Sequence, residues 1–226
     1  MVYLTGDIHG SLEVGRVTDF FKTEAVTKED YVIILGDAGV CWDGGRNDSQ
    51  LKYILHDLPL TTLFIDGNHE NFDLLNSYPI SSWHGGNVHE IEPDIIHLMR
   101  GQIFEIEGKT FFTMGGAAST DRISRTEGID WWPEEMPSEK EYEQGLKALE
   151  NYADKVDYVL THTAPSEVVG ILAIEMSEAG EPLQQYLQII ADSADIGQWY
   201  FGHFHEDIDV EDFYHCLMDR IIRLPE

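Results

Sequence analysis

Three short apolar runs in the first third of the chain stop in the same way, at a small residue followed by a side chain able to bind a cation. Val2–Thr5 runs into Gly6-Asp7, Tyr31–Leu35 into Gly36-Asp37, and Thr62–Ile65 into Asp66-Gly67-Asn68-His69. Apolar runs without polar alternation are the pattern of strands buried on both faces, as in parallel sheets. Between them, Leu12–Lys22 reads as a helix with Leu12, Val17, Phe20 and Phe21 broadly on one face, and Gln50–His56 reads as a second helix. Parallel strands joined by helices bind ligands beyond the carboxyl ends of the strands. The polar residues of all three runs fall there.

The second half differs. Ile95–Leu98, Ile103–Ile106 and Thr110–Met114 read as short strands with turns at Arg100-Gly101 and Glu107-Gly108-Lys109, the pattern of an antiparallel sheet. Residues 115–137 form a long irregular stretch that contains Arg122, Arg125, Trp131 and Trp132, and loops of that length are usually functional or mobile. Ser138–Asn151 reads as a helix, with Ser138 and Glu141 spaced as a capping box. A strand at Tyr158–Leu160 leads into Thr161-His162. A helix near Pro182–Ala191 follows, and Trp199–Phe201 then leads into Gly202-His203-Phe204-His205. The expected architecture is α/β, a four-layer αββα sandwich of two mixed β-sheets flanked by helices. No repeat or Pro/Gly/Ser linker divides the chain, so residues 1–226 are expected to form a single domain.

Charge narrows the function classes. The formal net charge is −28, and such a surface repels nucleic-acid backbones and anionic membranes. Extended DNA or RNA contact is therefore not expected, nor is membrane attachment. The two cysteines, Cys41 and Cys216, are too few for a disulfide framework and read as packed thiols. With no basic, apolar leader at the N-terminus, the expected compartment is the reducing cytoplasm.

The candidate ligands all lie just past strands: Asp7 and His9, Asp37, Asn68 with His69, His162, and His203 with His205. In extended backbone, residues i and i+2 share a side, so Asp7 and His9 can hold one ion together, and His203 and His205 can face one cavity. Carboxylate, imidazole and amide oxygen make a mixed O/N set suited to manganese, iron, zinc and related ions. Seven ligands are too many for one tetrahedral site and suit two ions that share a carboxylate.

In the order and spacing of these motifs, Gly6-Asp7-Ile8-His9, Gly36-Asp37, Gly67-Asn68-His69-Glu70, His162 and Gly202-His203-Phe204-His205, the chain resembles the calcineurin-like metallophosphoesterase superfamily. The resemblance implies two divalent ions, with manganese favoured and iron, zinc, nickel or magnesium as alternatives. Asp7, His9 and His205 would hold one ion, Asn68, His162 and His203 the other, and Asp37 would bridge them. It implies a hydroxide between ions ~3.5–4 Å apart that attacks phosphorus in line. His69 would be the catalytic histidine, donating a proton to the leaving oxygen or neutralising the transition state. The substrate would be a phosphorylated small molecule or a phosphorylated protein. Oligomeric state stays open.

The chain also departs from the family's protein phosphatases. Their second motif resembles G-D-x-x-D-R-G, whereas Val40 and Cys41 stand at its acidic and arginine positions here, and Asp66 replaces an arginine before Gly67-Asn68-His69-Glu70. Arg125 and Arg122 are the replacement candidates for gripping phosphate, with pairing to Asp121, Glu127 or Asp130 as the alternative. Arg46, in the rim-like run Cys41–Arg46, is a weaker candidate. Trp131 and Trp132 are candidate walls for a base or aryl group, and Asp66 or Asp43 are candidates to orient His69. The remaining histidines, His56, His84, His89, His97 and His215, read as surface or packing residues. Two other functions stay in view, a nuclease of the same superfamily and a non-catalytic protein-binding scaffold.

Overall fold

The computed structural model describes residues 1–152, 155–173 and 178–225. In chain order the elements are β1 (Val2–Thr5), α1 (Val14–Phe21), β2 (Tyr31–Leu35), α2 (Arg46–His56), β3 (Thr61–Ile65), α3 (Phe72–Leu75), β4 (Ile80–Trp83), β5 (Gly86–Glu92), β6 (Ile95–Leu98), β7 (Gln102–Ile106) and β8 (Lys109–Met114). The chain continues with α4 (Glu139–Asn151), β9 (Val156–Thr161), α5 (Ser166–Leu172), α6 (Glu181–Ser193), β10 (Ile196–Phe201), β11 (Ile208–Val210), β12 (Tyr214–Cys216) and β13 (Ile221–Arg223). One sheet has the order β13-β1-β2-β3-β6-β5-β4 and the other β11-β12-β10-β9-β8-β7. β1, β2, β3 and β6 are mutually parallel, as are β8, β9, β10 and β12. Antiparallel strands close both edges of each sheet.

Strand alternation builds the layers. On β2, Val32 and Ile34 pack outward with α1 residues Val14, Val17 and Phe21, while Ile33 and Leu35 pack inward. They meet Phe104, Phe111, Tyr158, Leu160 and Tyr200 of the second sheet. The opposite face of that sheet packs Phe112, Val159, Trp199 and Phe201 against Val168 of α5 and Leu183, Leu187 and Ile190 of α6. Period-two side-chain direction thus converts uninterrupted apolar strands into two faces, each covered. The result is the expected four-layer sandwich of mixed sheets. The capping box of α4 is present, with Ser138 Oγ accepting from the Glu141 amide and the Glu141 carboxylate accepting from the Ser138 amide. Both cysteines are buried and unpaired, and burial pushes each thiol up to about 12. No helix among the described residues is long and apolar enough to cross a membrane.

Two expectations need correction. The three strands between residues 95 and 114 do not share a sheet. β6 pairs parallel to β3 in the first sheet, and β7 begins the second. The turn at Arg100-Gly101 is a crossing between layers, which local turn signals cannot distinguish from a hairpin. The first helix also starts later than expected. His9 and Gly10 adopt left-handed backbone with φ of 41° and 66°, so a single tight turn at Gly10–Leu12 precedes α1. Leu12 is left 84% exposed instead of packing with Val17.

Candidate metal centre

The candidate ligands come from five parallel strand ends, three in one sheet and two in the other. β1, β2 and β3 deliver Asp7 with His9, Asp37, and Asn68 with His69, while β9 and β10 deliver His162 and His203 with His205. The sheets meet directly at this rim. The His203 amide donates to Asp7 Oδ1 (3.0 Å), and His162 Nδ1–H donates to the Leu35 carbonyl (2.7 Å). Glycine makes the approach feasible at two points. A Cβ at Gly36, whose φ is 96°, would overlap the His162 ring, and one at Gly202 would overlap Asp7 Oδ1. Four of the candidate ligands, His9, Asp37, His203 and His205, have φ between 41° and 69°. L-residues adopt that conformation only where surrounding structure enforces it, and such residues concentrate at functional sites.

Two overlapping donor sets result. Atoms of Asp7, His9 and His205 lie within 4.8 Å of one another, and so do atoms of Asp7, Asp37 and His162. Asn68 Oδ1 is 3.1 Å from His162 Nε2, and the His203 and His162 ring centroids are 5.0 Å apart. Asp7 is common to both sets, and Asp37 of the second set also approaches the first, with carboxylate oxygens 3.6 Å from His9 Nε2 and 3.5 Å from His162 Nε2, while its Oδ1 accepts from the His69 amide (2.7 Å).

The electrostatics of this cluster call for positive charge. Burial alone would raise the Asp37 carboxyl, but the neighbouring His162, His9 and His69 reverse this and hold it well below the usual carboxylate range. Burial would likewise lower His162, yet Asp37 and Asp7 lift it to about 10. His9 is raised by the neighbouring Asp37 carboxylate, and His205 by the neighbouring Asp7 carboxylate. His203, buried beside His162, is pushed down to about 3. The two buried carboxylates thus favour positive charge in their surroundings, which a bound divalent cation would supply. Asp7 Oδ2 is buried with no hydrogen-bond partner, although a buried carboxylate oxygen normally has one. It points among the His9 and His205 rings, 3.8 Å and 3.3 Å from their Nε2 atoms. The O/N donor set and this orphaned oxygen fit divalent ions.

Beside the cluster opens a cleft of about 400 Å³ whose lining includes His9, Leu12, Trp42, Leu51, His69 and Arg125. The His69 Nε2 atom is 4.0 Å from Asp37 Oδ2, and burial holds this histidine below its ordinary value. Neither carboxylate expected to orient it does so. Asp66 binds Arg100 through Nε (2.8 Å) and Nη2 (2.5 Å) and accepts from His97 Nε2 (3.1 Å), while Asp43 Oδ1 caps the Gly45 amide (2.7 Å). Asp66 thus compensates the buried Arg100 guanidinium and does not line the cleft.

The loop from 115 to 137 divides the expected substrate contacts. Arg125 reaches the cleft, but Asp121 accepts from its Nε (2.6 Å) and Nη2 (2.8 Å), and the Asp130 carbonyl accepts from Nη1 (3.0 Å). Arg122 lies over the Trp131 ring, 5.1 Å from its centroid, and does not line the cleft. Trp132 is buried and donates through Nε1 to Asp73 (2.9 Å). The aromatic wall is Trp42 instead. Arg46 opens α2 and does not line the cleft. Among the other histidines, His97 and His89 are buried, with Nδ1 atoms 3.1 Å apart, while His84, His56 and His215 make polar contacts at or near the surface.

Two supporting groups were missed in the sequence. Asn68 Nδ2 donates to Ser119 Oγ (3.2 Å), whose hydroxyl donates to Glu135 Oε2 (2.5 Å) while the Ser119 amide donates to Oε1 (3.1 Å). The chain Asn68–Ser119–Glu135 turns Asn68 Oδ1 toward the metal-site residues. Its only sequence trace is the run of small residues 115–119 ending at Ser119, all buried. Arg16 of α1 donates to the Asp7 carbonyl and ties down the end of β1. Its spacing from Asp7 carries no sequence signal, because the intervening turn is irregular.

Carboxylate, amide and imidazole donors at the shared rim of two packed sheets make a site suited to divalent cations beyond the strand ends. A family model for calcineurin-like phosphoesterases matches residues 1–207, and the chain belongs to that family. Its class is therefore that of the metal-dependent phosphoesterases. Among curated proteins, none matches the chain.

Proposed function

We propose that this protein is a binuclear metal-dependent phosphoester hydrolase. In this reading Asp7, His9 and His205 hold one ion, Asn68, His162 and His203 hold the second, and Asp37 bridges them. Bound there, divalent ions would supply Lewis acidity for a solvent nucleophile and for the phosphoryl oxygens. The chain supplies the rest. Asp37 is braced by the His69 amide, Asn68 is turned by Ser119, and the His69 ring at the cleft mouth donates a proton to the departing oxygen or a hydrogen bond to the phosphoryl group. The observation that carries the reading is the partnerless, buried Asp7 Oδ2, which faces the His9 and His205 rings at 3.8 Å and 3.3 Å in a set of oxygen and nitrogen donors. Manganese is the favoured metal, with iron, zinc, nickel or magnesium as alternatives, and a phosphorylated small molecule or protein is the substrate. Two buried, unpaired thiols support a cytoplasmic setting.

The test is a metal count on the loaded protein together with hydrolysis of p-nitrophenyl phosphate and its bis-ester. The expected result is two ions per chain and Mn²⁺-dependent turnover abolished by chelation. One ion or none, with no turnover on either ester across the five metals, would overturn the proposal.

A further inference from the structure

The cleft beside the metal-site residues has an uneven character. The apolar part of its lining is Leu12, Leu51 and Trp42. Leu12 stands 84% exposed, one turn beyond His9. Trp42 is fixed in place. Its amide donates to Asp48 Oδ2 (2.9 Å), and the same carboxylate accepts from the Asp43 and Gly44 amides (3.1 and 2.9 Å). Asn71 Nδ2 donates to its carbonyl (3.1 Å). Edge contacts set the ring 6.2 Å from His69 and 6.1 Å from Trp132 between centroids. The positive side of the cleft is weak by comparison. Among its lining residues the sole guanidinium is Arg125, already forked onto Asp121, and no lysine contributes.

We infer that this cleft is a subsite for the organic group of the phosphoester, and that the group is a flat, uncharged ring, aryl or nucleobase, seated on Trp42 and Leu12. This rests on the proposed function, because the metal-site residues anchor the phosphoryl end. A rigid aromatic wall offers contact area without ordering cost. A polyphosphate or heavily phosphorylated substrate needs further cations beyond the metal centre, and the cleft has none uncommitted among its lining residues. With a net charge of −28, the rest of the surface does not supply them at long range.

Calorimetric titration of the Mn²⁺-loaded protein with orthophosphate, methylphosphonate, benzylphosphonate and tripolyphosphate separates the two levels. Orthophosphate binding reports the metal centre alone. The benzyl-to-methyl affinity ratio reports the cleft. The expected ratio is at least about tenfold, equivalent to about 1.4 kcal/mol, with tripolyphosphate no tighter than orthophosphate. Trp42→Ala and Leu12→Ser should each reduce the ratio to under about threefold while leaving orthophosphate affinity unchanged. Leu12 is exposed, so its substitution keeps the test sound even if the Trp42 variant folds poorly. Orthophosphate binding with equal benzyl and methyl affinities, or a strong preference for tripolyphosphate, overturns the subsite. Loss of orthophosphate binding in the loaded protein overturns the proposed function beneath it, and the subsite with it.

Discussion

Removing the Ser119 hydroxyl should weaken one metal position and spare the other. Asn68 is 6% exposed, so its amide orientation is set by neighbours rather than water. With Nδ2 donating to Ser119 Oγ, Oδ1 faces His162. In Ser119→Ala the Nδ2 donor loses its acceptor, and a buried unsatisfied donor costs about 1–3 kcal/mol. The amide can then turn over and present Nδ2, which cannot ligate a cation. Glu135 also loses its shortest donor (2.5 Å), while burial already raises its carboxyl. Partners that orient metal ligands are typically worth roughly 10–100-fold in affinity, equivalent to about 1.4–2.7 kcal/mol, which agrees with the hydrogen-bond figure. Competition against a chromophoric chelator should show one ion held as in the parent and the other weakened by that factor. Ser119→Thr, which keeps the hydroxyl, should restore most of the affinity. If Ser119→Ala binds both ions with parent affinities, or if threonine is no better than alanine, the orienting role assigned to Ser119 is wrong.

Other substitutions probe separate links. Asp37→Asn should lower kcat/KM by more than the roughly 100-fold typical of supporting residues around a metal; steady-state rates near the parent's would exclude a bridging role. Arg100→Met strands the buried Asp66 carboxylate and should cost about 3–5 kcal/mol in urea unfolding, so an unchanged midpoint would count against that pair as a structural brace. Burial and neighbouring His97 push His89 down to about 4, so the unfolded chain binds its proton first, near pH 6.5. The His89 contribution is complete above pH 6.5 and declines as pH falls toward 4, by up to about 3 kcal/mol. His89→Leu should flatten that part of the stability–pH curve, and an identical slope in parent and variant would refute the assignment.

Strand interiors and ligand types were readable because they depend on local pattern. An uninterrupted run such as Val32–Leu35 has to be buried on both faces, and the polar residues that follow it fall at the sheet rim whichever helices cover it. Partnerships between distant segments were not readable. Asp66 directly precedes the glycine of its motif, yet its partners are Arg100 and His97, chosen by sheet order and not by sequence distance. The crossing at Arg100-Gly101 carries the signals of an ordinary turn, and only the pairing of β6 with β3 reveals it as a passage between layers. Leu12 fits a helical period, but the left-handed backbone at His9 and Gly10 delays the helix and turns that leucine outward. Trp132 and Trp42 were indistinguishable by composition. In the fold Trp42 lines the cleft, while Trp132 is buried and donates to Asp73.

The His203 amide reaching Asp7 and the His162 ring reaching Leu35 have a mechanical side. Cations held by side chains from both sheets would act as a rivet through one edge of the sandwich, so loading and layer cohesion become a single equilibrium. At a free-ion concentration a hundred times the dissociation constant, such a rivet adds about 2.7 kcal/mol. Chelation should then loosen hydrogen-exchange protection first where β9 and β10 run out toward the seam, well before the apolar strands beneath it open.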